Sequence, residues 1–179
     1  PVDVECGPDG AIYIADWTDA RLSHLNPADT WDKANGRIYR LVADGVSRRK
    51  MRDLRRATGD ELLALLADPN RELREQARRL LGSRTEPAAS VLRSRVEANG
   101  ADALECFWVL NLRGDVAEPE LRGALRHPHA RIREWAVRLL GDRCQIDAVT
   151  AGELARLAER EPDVEVRVQL ACRLKRLPA

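Results

Sequence analysis

Asp68-Pro-Asn-Arg-Glu-Leu-Arg-Glu-Gln-Ala-Arg-Arg-Leu-Leu-Gly82 returns twice further along the chain, as His127-Pro-His-Ala-Arg-Ile-Arg-Glu-Trp-Ala-Val-Arg-Leu-Leu-Gly141 and as Glu161-Pro-Asp-Val-Glu-Val-Arg-Val-Gln-Leu-Ala-Cys-Arg-Leu-Lys175. Counted from each proline, the fourth residue is apolar (Leu73, Ile132, Val166), the fifth is arginine (Arg74, Arg133, Arg167) and the twelfth is leucine (Leu81, Leu140, Leu174). Apolar residues at these offsets share one face of a helix. The prolines are 59 and 34 residues apart, so the wider gap predicts one further copy, anchored at about Gly100, with Leu104, Trp108 and Leu112 in its apolar columns. Four copies of about 30 residues predict a mainly α chain: an α-solenoid of about four helical hairpins over residues 58–179.

Each copy needs a preceding helix. Thr58-x-x-Glu61 and Thr150-x-x-Glu153 match the capping box, in which side chain and backbone satisfy each other's N–H groups at a helix start. Pro87 and Pro119 fall near the starts of the other two, where a missing N–H costs little. The Pro-x4-Arg turn resembles HEAT repeats of the short, phycobilisome-lyase type. The second copy departs from it, placing Glu105 in the arginine column, and stacking of adjacent copies predicts a structural ladder of Arg74, Glu105 and Arg133 with Arg167 beyond. Phe107, Trp108 and Trp135 are read as core. Arg71, Arg78, Arg79, Arg126, Arg131 and Arg138 offer a basic surface, but the acidic residues interspersed among them argue against nucleic acid as partner.

Upstream, the periodicity changes from helical to alternating. Val2–Cys6, Ala11–Ala15 and Arg37–Val42 read as three short antiparallel strands, the first two joined by Gly7-Pro8-Asp9-Gly10, a turn sequence with proline to set φ and glycine to accept positive φ. Gly36 is likewise expected to need positive φ. Three such strands bury too little to stand alone, so residues 1–45 read either as a cap on the helical stack or as the last blade of a propeller.

The motif Gly7-Pro-Asp-Gly-Ala-Ile-Tyr-Ile-Ala-Asp-Trp17, followed by Asp19, His24, Asp32 and Gly36-Arg-Ile-Tyr-Arg40, resembles the last propeller blade of the large "membrane-bound dehydrogenase" proteins of Planctomycetes and Verrucomicrobia, themselves similar to glucose/sorbosone dehydrogenase propellers. The resemblance covers roughly residues 1–45. It implies that the chain is a fragment in which HEAT repeats follow the propeller and a c-type haem domain would come next. It implies sugar or alcohol oxidation, with pyrroloquinoline quinone and calcium as the parent's cofactors and a periplasmic or membrane-associated location. The partners implied are the remaining blades and the haem domain, with a further protein partner on the HEAT surface. On that reading Asp16, Asp19 and Arg37 face the cofactor; Asp16, Asp19 and Asp32 offer oxygen ligands of the calcium type; and His24 offers a general base for a substrate hydroxyl. The alternative for these residues is turn and cap chemistry.

The totals leave room for this and for less. The chain has 179 residues, 44% of them apolar, and a net charge of +1 that hides an uneven split: residues 1–44 carry eight acids against four bases, while the connector 46–57 is the most basic run. No apolar run reaches transmembrane length. Cys6, Cys106, Cys144 and Cys172 show neither metal nor haem spacing, and Cys106 and Cys172 are expected to be buried thiols. Besides a dehydrogenase fragment that is inactive by itself, the sequence admits a stand-alone HEAT scaffold for a protein partner and a HEAT-like DNA binder.

Overall fold

The computed structural model describes residues 3–16, 34–45 and 52–176. Three strands, β1 (Asp3–Cys6), β2 (Ile12–Asp16) and β3 (Arg37–Leu41), form one antiparallel sheet in the order β1-β2-β3. The turn between β1 and β2 is closed by Gly10 N–H on Gly7 O (3.0 Å) and Gly7 N–H on Ala11 O (2.8 Å), with Gly10 at φ 83°. Gly36, in contrast, is not among the positive-φ glycines, and a Cβ there would meet Asp16 O at an ordinary 3.5 Å.

Register sorts the sheet into two unlike faces, because cross-strand partners point the same way. Val4, Ile14 and Tyr39 are one row and Cys6, Ile12 and Leu41 the next, so one face is apolar. It is also largely open: Val4 is 57%, Ile12 46%, Tyr39 49% and Leu41 53% exposed. The other face carries Glu5, Tyr13 and Arg40 in one row.

A single 3₁₀ turn, Leu54–Arg56, leads into eight α-helices among the described residues: α1 (Gly59–Leu65), α2 (Arg71–Gly82), α3 (Ala89–Glu97), α4 (Ala103–Arg113), α5 (Glu118–Ala124), α6 (Ala130–Asp142), α7 (Ala148–Arg160) and α8 (Val164–Leu174). The chain is therefore mainly helical with one small antiparallel sheet. Helices pair in sequence, α1 with α2, α3 with α4, α5 with α6 and α7 with α8, while α2, α4, α6 and α8 also pack one against the next. Their shared core includes Leu62, Leu66, Leu81, Leu92, Val109 and Leu140. Leu54 and Ala57 belong to the same core, so packing begins inside the basic connector.

Local chemistry explains the helix starts. Thr58 and Glu61 form the expected capping box on α1, and Pro119 lies in the first turn of α5. The α7 start differs from expectation: Asp147 is the cap, accepting from Thr150 N–H at 2.6 Å, and Thr150 lies one turn inside, fully buried.

The second copy is displaced by one residue from the Gly100 anchor. Cys106 N–H bonds Asp102 O (2.9 Å) as Arg74 N–H bonds Asn70 O and Arg133 N–H bonds His129 O, which aligns Asp102 with the caps of the other copies. Glu105 therefore stands in the apolar column with Leu73, Ile132 and Val166, and Cys106 stands in the arginine column. A shift of one residue turns a helix by about 100°, so Leu112 is exposed and Leu104 and Trp108 are half-buried, while Cys106, Phe107, Val109 and Leu110 fill the core. Cys172 is exposed, not buried, and all four cysteines are free thiols.

Candidate functional site

Of the loop residues singled out in the sequence, His24, Asp19 and Asp32 lie outside the described residues. Asp16 ends β2, half-buried, directly opposite Arg37 on β3. Arg37 turns onto its own loop, donating Nη1 to Ala34 O (3.3 Å) and Gly36 O (3.0 Å). Among the described residues no group of three or more His, Cys, Asp or Glu is arranged to hold a metal ion.

A polar network that the sequence did not announce occupies the opposite face. Asp9, in the β1–β2 turn, accepts from Tyr13 OH (3.3 Å) and from Arg40 Nε (3.0 Å) and is also bridged by Arg40 Nη2. Arg40 holds the Asp9 carboxyl below its ordinary range. The same Asp9 accepts the N–H of Ala11 (3.1 Å). The network ties the turn to β3 and leaves no free acid or base. The sheet then meets the helices through Asn70, whose Nδ2 donates to Gly7 O at 2.9 Å.

In the helical part, the most developed polar constructions are the three proline turns. In each, the side chain before proline accepts the N–H of the residue after it: Asp68 from Asn70 (2.8 Å), His127 from His129 (3.0 Å), Glu161 from Asp163 (3.0 Å). In each, the residue after proline then caps the next helix, Asn70 accepting from Glu72 N–H (2.9 Å), His129 from Arg131 N–H (3.2 Å) and Asp163 from Glu165 N–H (3.0 Å). The column arginine returns to the turn in two copies. Arg74 Nη1 donates to Asp68 O (2.7 Å) and Pro69 O (3.0 Å), and Arg133 Nη1 to His127 O (2.9 Å) and Pro128 O (3.0 Å).

The expected ladder forms on the Arg74 side only. Glu105 pairs with Arg74 (3.5 Å) and Arg78 (2.8 Å), both on α2, and Arg133 pairs instead with Glu161 (2.6 Å). The hydrogen-bonded Arg133 holds the Glu161 carboxyl below its usual range, and the Arg167 charge adds to the shift. Glu161, not Glu105, is thus the acid set between two column arginines.

A second arginine series went unnoticed in the sequence. Arg84, Arg113 and Arg143, near the ends of α2, α4 and α6, each reach carbonyls ahead of the partner helix: Ala57 O (2.6 Å), Pro87 O (2.7 Å) and Val116 O (2.8 Å). Burial pushes the Arg113 pKa down. The recurrence of Arg at 29- and 30-residue intervals was the available signal. Across α2, α4 and α6, Trp108 and Trp135 meet edge-on with centroids 5.1 Å apart, Arg78 lies 4.6 Å over Trp108 and Arg138 4.6 Å over Trp135. Guanidinium over indole is attractive through the ring quadrupole.

A cleft of about 630 Å³ opens between the α5–α6 turn and α7, and its charged lining is Arg126, Arg133, Glu153, Arg156, Arg160 and Glu161. Glu153 bridges Arg126 and Arg156, and Arg156 holds its carboxyl below the usual range. Carboxylates stabilised as anions in this way are poor proton donors at neutral pH. Burial, with Asp102 beside it, pushes the Cys106 thiol up to about 12, so it is no nucleophile either. The described polar groups hold helices together and cap them. No family model matches this chain, no curated protein matches it and no solved structure matches it.

Proposed function

We propose that residues 1–45 are the last blade of a β-propeller of the glucose/sorbosone dehydrogenase kind, and that the four helical hairpins are a HEAT-type solenoid holding that propeller beside a c-type haem domain of the same parent. The observation that carries this reading is the sheet's open apolar face, Val4, Ile12, Tyr39 and Leu41. A propeller blade packs such a face on its neighbour, whereas a sheet capping a solenoid would turn it onto the helices. The direct hydrogen bond between sheet and helices, from Asn70 to Gly7 O, lies at the turn, away from that face.

On this reading the parent oxidises a sugar or related alcohol with pyrroloquinoline quinone and calcium. Asp16 and Arg37 would serve that site, and the resemblance adds Asp19, Asp32 and His24 to them. The helical part acts as scaffold, and this chain alone is inactive because one blade cannot enclose a central site. Reading the gene outward from both ends tests the proposal. Upstream strand–turn–strand units and a downstream Cys-x-x-Cys-His support it, and the intact product then reduces a dye acceptor with a sugar or alcohol once quinone and calcium are supplied. Upstream sequence without strand units overturns it.

A second reading, a scaffold that binds a protein partner, draws on the exposed Val149, Val164 and Val168 of the last hairpin. DNA binding is disfavoured, since Arg71, Arg78, Arg126 and Arg131 each already bridge a glutamate. No helix among the described residues is long and apolar enough to cross a membrane.

A further inference from the structure

The three proline turns share one wiring diagram but not one chemistry. Asp68 with Asn70, and Glu161 with Asp163, supply carboxylate or carboxamide oxygens as the two N–H acceptors. In the α5–α6 turn both acceptors are imidazole nitrogens, His127 Nδ1 and His129 Nδ1. A nitrogen that accepts an N–H carries no proton, so the His127 ring proton is on Nε2, which donates to Val96 O of α3 at 3.0 Å. Each Nδ1 is thereby engaged as a hydrogen-bond acceptor.

We propose that the His127-Pro128-His129 turn is a proton-sensitive joint between the second and third hairpins and the rest of the stack: a second proton on each imidazole sets N–H against N–H, releases the amides of His129 and Arg131, and uncaps α6. Imidazole is the side chain whose charge changes between pH 5 and 8, whereas carboxylate and carboxamide oxygens keep their acceptor capacity over that interval. On the α5, α6 and α7 side, Arg126, Arg133, Arg156 and Arg160 line the cleft beside the turn with Glu153 and Glu161, both already bound to arginine, and the Arg131 side chain pairs with Glu134 at 2.7 Å. On the α3 side the small cavity that His127 lines also holds Arg93, Glu97 and Glu120, and Arg93 and Glu120 bridge each other at 2.6 Å. Arg133 carries the opening further, because it grips His127 O, Pro128 O and Glu161 together.

Amide hydrogen exchange on the unmodified chain tests the joint. The protection factors of the His129 and Arg131 amides are compared with those of Asn70 and Glu72, which are the equivalent donors in the first turn. Loss of a helix cap is expected to lower the ratio roughly five- to tenfold from pH 8 to pH 5. A ratio that stays level overturns the proposal. In a His127→Asp, His129→Asn chain, which copies the acceptors of the first turn, the ratio is expected to stay level. If it still falls there, the proton acts elsewhere and the imidazoles are not the joint. Should that variant fail to fold, the measurement on the unmodified chain decides alone.

Discussion

Glu105 and Glu161 show how little a residue's type says about its setting. Both are acids with low exposure, 9% and 5%, and both meet arginine. Glu161 is bidentate with Arg133 and also caps a turn, so Arg133→Ala leaves a buried carboxylate without its hydrogen-bonded cation and is expected to cost about 3 kcal/mol in chemical denaturation. The same pair gives a pH dependence. The folded Glu161 carboxyl titrates below its unfolded value, so its contribution is fully present above the unfolded carboxylate range and is lost as pH falls through the lower folded value. The denaturation midpoint of the unmodified chain should therefore fall in that acid range by more than that of Arg133→Ala. Glu105 occupies a column that is Leu, Ile or Val in the other copies. Glu105→Leu should cost less than about 1 kcal/mol, since an apolar side chain suits the column and Arg74 keeps its turn carbonyls. Glu105→Arg sets three guanidiniums together and should lower the melting temperature by several degrees, about 2–4 °C per kcal/mol lost for a chain of this size.

At the scale of elements, caps decide where helices begin. Asp163 bonds both Glu165 N–H and Val166 N–H, so Asp163→Ala should cost about 1 kcal/mol, seen as a lower denaturation midpoint with unchanged m-value. The proline, the arginine and the leucine columns were legible because they repeat at constant offset. The acceptors on either side of the proline were not, since Asp, His and Glu before it, and Asn, His and Asp after it, are alike only as hydrogen-bond acceptors. The α4 register was illegible for a different reason. Leu104, Phe107, Trp108, Val109, Leu110 and Leu112 ring that helix with apolar groups, and a helix apolar on most sides has no phase to read. No proline marks its start, so the phase came from packing against α2, α3 and α6.

For the molecule as a whole, the sheet and the helices are unequal. The helices share one core to which the sheet adds no residue, and the apolar sheet face stays open. Removing residues 1–45 should leave the melting temperature within a few degrees, because the core lies in the helices, and should reduce self-association in sedimentation, because open apolar patches and free strand edges promote it. A large drop in melting temperature would instead mean that the sheet braces α2. The sequence by itself determined the three strands, the number and order of the helical hairpins, and the Thr58 cap, since each depends on residues close in the chain. Only the tertiary structure decided which arginine meets which acid, which cysteine is buried, how α4 is rotated and that two histidines hold a turn by their unprotonated nitrogens. The ion pairs and the His127 contact with α3 depend on groups some 27 to 31 residues apart being brought within hydrogen-bond reach. Local propensity carries no record of such distances.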